Sequence, residues 1–335
     1  MKTRFLWADI IRILAIFLVL ATHLSYQPEI VTTDGLVYFL YFAVVKTCIP
    51  LFVMLSGALL LGKKESSDVF YKKRLGRLLF PWIFWSAIFL FIDKQYFSSI
   101  HDILSFFRVF FWTMESFWFL PLIVCLYILT PAIRILAQNG SVRTMAYVVV
   151  IWFVVVSLLP YHHNSMAFPR QVDNGLVRQV VNFLGYFISG YMLVSVRSKI
   201  TPVLSILVFL LGLSWSCIEV FQNVFLQSQQ IMYLFDYISP GNVLMSFGIF
   251  SFVLSIFANQ QAKDGRVEKI AASVSSATLG IYFIHAFVWP YLYQKLHFSI
   301  SPFPNGTISA IVLFGICFVI IFFLQKISVL KRFVS

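Results

Sequence analysis

The chain has 335 residues, of which 60% are apolar and only 11% charged, and its mean hydropathy is +0.88. Soluble domains carry about 25% charged residues, so this composition excludes an ordinary soluble domain and points to a polytopic membrane protein. A net charge of +12 would suit a nucleic-acid binder, but the basic residues are distributed as topology signals.

A membrane span needs about 20 mostly apolar residues. Ten stretches qualify, near residues 6–25, 37–61, 78–93, 117–138, 144–160, 178–196, 201–219, 238–258, 277–296 and 307–325. In lipid each must be a helix, because an open strand edge would leave backbone groups without partners. The expected fold is an all-α membrane protein, a bundle of about ten transmembrane helices forming one domain over residues 1–335. Lys2 and Arg4 before the first apolar run imitate a signal peptide. No small-residue cleavage site follows and nine further spans do, so the run is read as a retained first span.

That first span, "ADIIRILAIFLVLATHLS", carries Asp9, Arg12 and His23. From Arg12 to His23 a helix turns about 1100°, about 20° past three full circles, and rises about 16 Å. The two side chains therefore leave the same face, half a membrane apart, and Asp9 is placed to pair with Arg12 one turn away. A mid-span Arg costs about 2.5–3.5 kcal/mol on insertion scales, so such residues face a bundle interior or a wet cavity rather than lipid.

The second span, "IPLFVMLSGALLL", holds Ser56 and Gly57 mid-run, where small residues let helices approach closely. The stretch "FYKKRLGRLLFPW" follows, with Arg74 and Arg77 one turn apart at the start of the third span. Two guanidinium forks in that arrangement suit a polyanion such as a phosphate group; ordinary anchoring of the span is the plainer alternative. The fourth span opens with Glu115 and Trp118 in "ESFWFLPLIVCLYILTP", an interface anchor or a substrate platform. Glu219 and Asp236 flank a later loop and could meet a polar acceptor. "TLGIYFIHAF" places His285 in the ninth span, as a hydrogen-bonded core group or a functional one. His101, His162, His163 and His297 fall in loops or at span ends and are assigned no role. Cys48, Cys125, Cys217 and Cys317 lie singly in apolar segments, without metal-ligand spacing, and packing is the favoured role. No metal is expected.

Most Lys and Arg gather at alternate span ends: Lys2 and Arg4, the cluster from Lys63 to Arg77, Arg134 and Arg143, Arg197 and Lys199, Lys263 to Lys269, and Lys326 to Arg332. By the positive-inside rule those ends are cytoplasmic, and so are both termini. The excess charge can also touch anionic membrane lipid, and no nucleic-acid partner is implied.

Taken together, "RILAIFLVLATH" with its Arg12-x10-His23 spacing, "PLFVMLSG", "RLGR" at 74–77, "FWFLPLIVCLYILTP", "ISGYML" and "LGIYFIH" resemble the acyltransferase-3 family. Its members are ten-helix membrane acyltransferases that modify surface sugars. The resemblance runs in family order over nearly the whole chain. It implies acyl-coenzyme A as the cytoplasmic donor, with acetyl the expected group. The acceptor would be a cell-surface glycan or its lipid-linked precursor on the far side of the cytoplasmic (inner) membrane. Arg74 and Arg77, carried over from the motif, would hold the nucleotide phosphates, with the pantetheine arm passing Arg12. His23 would meet the thioester as general base or as covalent acyl carrier. Glu115, Trp118 and His285 are candidates for contacting the acceptor. Some relatives carry a C-terminal esterase-like domain, and none is expected after the last span here. The membrane domain would then complete the transfer alone or pass the acyl group to a polysaccharide-assembly partner. The rival reading is a transporter moving a polysaccharide or its precursor along the same polar track. It lacks an internal repeat or paired Gly/Pro-broken spans to support it.

The charge distribution makes a topological prediction. Reporter fusions at Lys64, Ser141, Lys199 and Lys263 should read cytoplasmic, and fusions at Asp34 and Asn305 external. Lys64 and Asp34 reporting the same side would overturn the first hairpin.

Overall fold

The computed structural model describes residues 4–24, 35–92, 101–103, 105, 106, 110, 117–162, 175–225, 236–258, 265–296 and 305–334. Among these residues the chain is helical, without strands, and each of the ten expected spans coincides with helix. Eight are long and apolar enough to cross a membrane: Leu6–His23, Val37–Leu60, Ser67–Ile92, Phe119–Asn139, Pro202–Gln222, Pro240–Phe257, Arg266–Tyr293 and Thr307–Leu324. The protein is a multi-pass membrane protein.

In chain order the helices are α1 (Leu6–His23), α2 (Gly35–Val45), α3 (Cys48–Leu60), α4 (Ser67–Ile92) and α5 (Phe119–Asn139). Next come α6 (Val142–Trp152), a π-helical turn (Phe153–Leu158) and the short α7 (Leu159–His162), which together make the fifth expected span. The sixth is α8 (Leu176–Ser195), followed by α9 (Pro202–Phe225), α10 (Pro240–Phe257), α11 (Arg266–Leu296), α12 (Thr307–Leu324) and the terminal α13 (Lys331–Val334).

Two expected spans are longer than hydropathy alone suggests, and one is broken. α4 begins at Ser67 and α11 at Arg266, each well before its apolar run. The polar turns persist because partners exist for them: Arg4 Nη2 donates to the Ala272 carbonyl at 2.7 Å, and Arg12 Nη1 to Ser275 Oγ at 2.6 Å. The second span breaks between α2 and α3, at Lys46 and Thr47. Pro50 carries no N–H, so the Lys46 carbonyl has no helical donor four residues on. The preceding carbonyls are met from the side. Asn242 Nδ2 donates to Ala43 O at 3.2 Å, Thr47 Oγ1 to Val44 O at 2.7 Å, and Thr22 Oγ1 to Val45 O at 3.2 Å.

α1 is the central helix. It packs against α3, α10, α11 and α12, and 67% of its length is buried, against 28% for α9 and α12, which therefore form the periphery. Ile11, Ala15, Ile16, Leu20 and Ala21 of α1 are fully enclosed. α3 meets α8 through glycines on both sides. A Cβ at Gly57 would fall onto the Phe187 carbonyl oxygen, and one at Gly190 onto that of Met54. The small-residue reading of Ser56-Gly57 is thereby given a partner and a contact.

Arg134 corrects one detail of the charge pattern, since it is not a free topogenic end. It is buried in α5, donating to Leu60 O at 3.0 Å and to Glu65 Oε1 at 3.2 Å, with its guanidinium 4.5 Å above the Phe70 ring. Burial alone would raise the Glu65 carboxyl. The hydrogen bond from Arg134 and the charges of Arg74, Arg134 and Lys63 outweigh it and hold that carboxyl below its ordinary value. At the far end of the chain, Trp85 Nε1 donates to Phe333 O at 3.0 Å and Phe84 stacks on Phe333 at 4.5 Å, which ties α13 back onto α4.

Gly57→Ala should force α3 and α8 apart. We expect a destabilisation of about 3 kcal/mol, as for overpacked cores, read as a lower melting temperature in detergent. Ser56→Ala, at the adjacent position, should leave it nearly unchanged.

Candidate functional site

The polar groups of the bundle lie in two layers along α1. The first surrounds Arg12. Asp9, in the first turn where a carboxylate also suits the helix dipole, is buried. It receives Arg4 Nε at 2.6 Å and Arg12 Nη1 at 3.2 Å. The Asp9–Arg12 pair expected from spacing is therefore present, and Arg4 completes it. The Arg12 side chain is 29% exposed, so it is reachable from the interior. Its charge and that of Arg74 both act on Tyr127 of α5, which lies beside Ser56 of α3. Residues from α1, α3, α4, α5 and α11 thus converge on this layer.

Arg74 and Arg77 do not play equivalent parts in it. Arg77 is exposed on α4. Arg74 is half-buried, and its Nε is enclosed without a hydrogen-bond partner among the described residues. An enclosed guanidinium N–H with no acceptor is a donor waiting for one, and a phosphate or carboxylate oxygen fits it.

The second layer lies at the other end of α1, about 16 Å away by helix rise. His23 is half-buried, and its ring centroid stands 5.1 Å from that of His285, tilted by 43°. His285 Nδ1 lies 2.6 Å from the Tyr282 carbonyl oxygen. A carbonyl only accepts, so Nδ1 carries the hydrogen and Nε2 is left with a lone pair. That Nε2 is buried and has no hydrogen-bond partner among the described residues. The structure thus joins two histidines that lie 262 positions apart in sequence, one of them an unengaged acceptor.

Aromatic rings wall this layer. Tyr282 stands 5.9 Å from His285, Phe117 5.8 Å from Tyr282, and Phe119 6.3 Å from Tyr282. Trp118 packs against Tyr237 at 5.4 Å and Phe183 at 6.0 Å. Trp118 also stands 6.4 Å from Phe119, so it joins the aromatic wall and reaches His285 only through Phe119 and Tyr282. Glu115 lies outside the described residues.

A family model described as an acyltransferase domain matches residues 5–324 of the chain. The chain belongs to the acyltransferase-3 family. No curated protein and no solved structure matches it. The match takes in both layers, so the histidine pair and the arginine layer are parts of one acyltransferase-3 domain.

Within that domain the sequence reading passed over Lys46 and Tyr282, and gave Cys48 a packing role only. Lys46 sits in the break of the second span, its ammonium 4.3 Å from the Tyr237 ring centroid and 5.1 Å from that of Phe42. Its charge acts on His23 and on Cys48. Cys48 Sγ lies 3.7 Å from Thr22 Oγ1, next to His23 in the chain. The signal for Lys46 was present, as a lysine inside an apolar run with a proline four residues on. No periodicity could have announced Tyr282 as the residue that fixes the His285 tautomer.

Proposed function

We propose that the protein is an O-acyltransferase of the cytoplasmic membrane. It moves an acyl group, in the first instance acetyl, from cytoplasmic acyl-coenzyme A to a hydroxyl of an extracytoplasmic glycan or its lipid-linked precursor. The observation that carries this reading is the His23–His285 pair on the same α1 face as Arg12, with family membership supplying the reaction class.

The two layers divide the work. Arg74, with its unpartnered Nε, and Arg12 are suited to the anionic end of the donor; the exposed Arg77 would contribute from outside the layer. A pantetheine arm has a reach comparable to the separation of the layers, so a donor held at Arg74 brings its thioester towards His23. There the acceptor hydroxyl attacks the thioester carbonyl carbon. A neutral imidazole takes the hydroxyl proton and returns it to the departing thiolate, a contribution of about 10²–10⁴ in rate. With the His285 lone pair beside it, the His23 imidazolium has an acceptor to orient and stabilise it. The enclosing rings hold water away from the thioester.

Two outcomes test this. Arg74→Ala should weaken binding of acyl-coenzyme A to the purified protein by about tenfold or more, the loss of a charged hydrogen bond. Arg74→Lys should rescue it only partly, because an ammonium lacks the bidentate fork. Unchanged donor binding would return Arg74 to an anchoring role.

His23→Gln should abolish glycan acylation, read as loss of the acyl mass increment from the surface glycan, with protein level and melting temperature preserved. Gln keeps hydrogen-bonding reach but cannot accept the proton. Near-normal acylation by His23→Gln would remove His23 from the chemistry. A missing or internally retained polymer in a deletion strain would point to transport instead.

A further inference from the structure

The break in the second span positions a cation that the reaction described so far does not use. Lys46 lies well inside the span, where a positive side chain has no anchoring purpose. Among the described residues it forms no ion pair. Its ammonium rests instead over the faces of Phe42 and Tyr237, contacts that hold a cation in place without using its three N–H donors as hydrogen bonds. Asp236, before α10, is a carboxylate whose charge reaches it. Partial burial, however, holds the Asp236 carboxyl above its ordinary value, so it serves poorly as a full counter-ion.

A charge without a counter-ion is costly even when half-buried, as Lys46 is. The chain also keeps the backbone interruption that puts this charge there, supported by Asn242, Thr47 and Thr22. The same interruption is tied to α1 on both sides of the lysine. Thr22 Oγ1 bonds the Val45 carbonyl and approaches Cys48 Sγ, which locks the residues flanking Lys46 against the end of α1 that carries His23. The charge of Lys46 acts directly on the His23 ring. A cation held over two aromatic rings, with no hydrogen bond or ion pair among the described residues and with its charge reaching His23, has the elements of an oxyanion site.

We propose that Lys46 is the oxyanion-stabilising residue of the transfer, donating to the thioester carbonyl oxygen as charge develops on it. This rests on the acyltransferase reading above. As the acceptor oxygen bonds to the carbonyl carbon, its proton passes to His23 and the carbonyl π pair moves onto oxygen, where the ammonium pairs with it. When that pair re-forms the carbonyl, the carbon–sulfur bond breaks and the thiolate leaves with the proton from His23. The ammonium gives up no proton and is unchanged at the end. Its contribution appears only while the oxygen carries charge, so it acts on the rate and not on donor affinity.

The test compares two stable donor analogues on the purified full chain in lipid nanodiscs. S-ethyl-coenzyme A has a neutral group in the acyl position; S-carboxymethyl-coenzyme A places a carboxylate there. Wild type should bind the carboxymethyl compound about 10–100-fold more tightly than the ethyl compound, as a charged hydrogen bond implies. Lys46→Met should erase that preference while leaving S-ethyl-coenzyme A affinity unchanged, and should lower kcat by about 10²–10³ with donor KM unaltered. Lys46→Arg should retain part of the preference. Wild type binding both analogues equally would overturn the role of Lys46 and leave the donor site standing, and needs no variant to fold. Preference surviving in Lys46→Met would overturn it too. Wild type binding neither analogue would overturn the donor reading and this proposal together.

Discussion

Backbone polar groups in a bilayer must find partners within the protein, and this constraint governs the second span. Breaking a helix there strands carbonyls at several kcal/mol each unless side chains meet them. Pro50 removes the helical donor of the Lys46 carbonyl, and Thr22, Thr47 and Asn242 meet the three carbonyls before it, from α1, from the break itself and from α10. The supports come from separate parts of the chain, so the break forms only when α1, α3 and α10 are assembled. That assembly depends in turn on the α3–α8 glycine contact holding α3 in place. Packing of small residues and satisfaction of a broken backbone are thus one structural problem, solved around α1.

The arginines show how a single residue type can serve different ends in one membrane domain. Arg134 is engaged on every nitrogen: the Leu60 and Glu65 carbonyls, the Glu65 carboxylate and an aromatic face account for its burial. Arg4 and Arg12 share Asp9, and Arg12 also holds Ser275, which fixes α1 against α11. Among the described arginines, Arg74 alone combines enclosure with a donor that has no partner among the described residues. Counting basic residues per loop treats all of these as topology signals. Their hydrogen-bond partners separate a structural clamp from a group with remaining capacity to bind an anion.

Much of this architecture was legible because membrane spans announce themselves by length and apolarity, and because α1 keeps a strict helical phase. The Arg12–His23 relation and the Asp9–Arg12 pair follow from 3.6 residues per turn and nothing else. The early starts of α4 and α11 were not legible, since hydropathy sees polar turns as loop while Arg4 and Arg12 provide distant partners for those of α11. The His23–His285 approach was illegible for a related reason. Periodicity ranks residues along one helix, but it carries no information on which turn of α1 meets which turn of α11. Lys46 is the intermediate case, visible as an anomaly in an apolar run yet uninterpretable until the break ties its neighbours to α1.

The two histidines also constrain each other. Two imidazolium ions with ring centres 5.1 Å apart in a water-poor layer would repel strongly, so the pair is suited to carrying one proton at a time. Hydrogen bonding of His285 Nδ1 to Tyr282 O fixes which nitrogen is free to share it. In the proposed transfer His23 would take a proton without a carboxylate behind it, the role that an acidic partner fills in a Ser-His-Asp arrangement falling to a neutral imidazole. A neutral orienting group would add no negative charge beside the oxyanion proposed to develop there. With an aspartate in that position, the attraction between Lys46 and the reacting oxygen would be opposed at the moment it is needed. A histidine pair and a lone lysine are electrostatically consistent parts of one site.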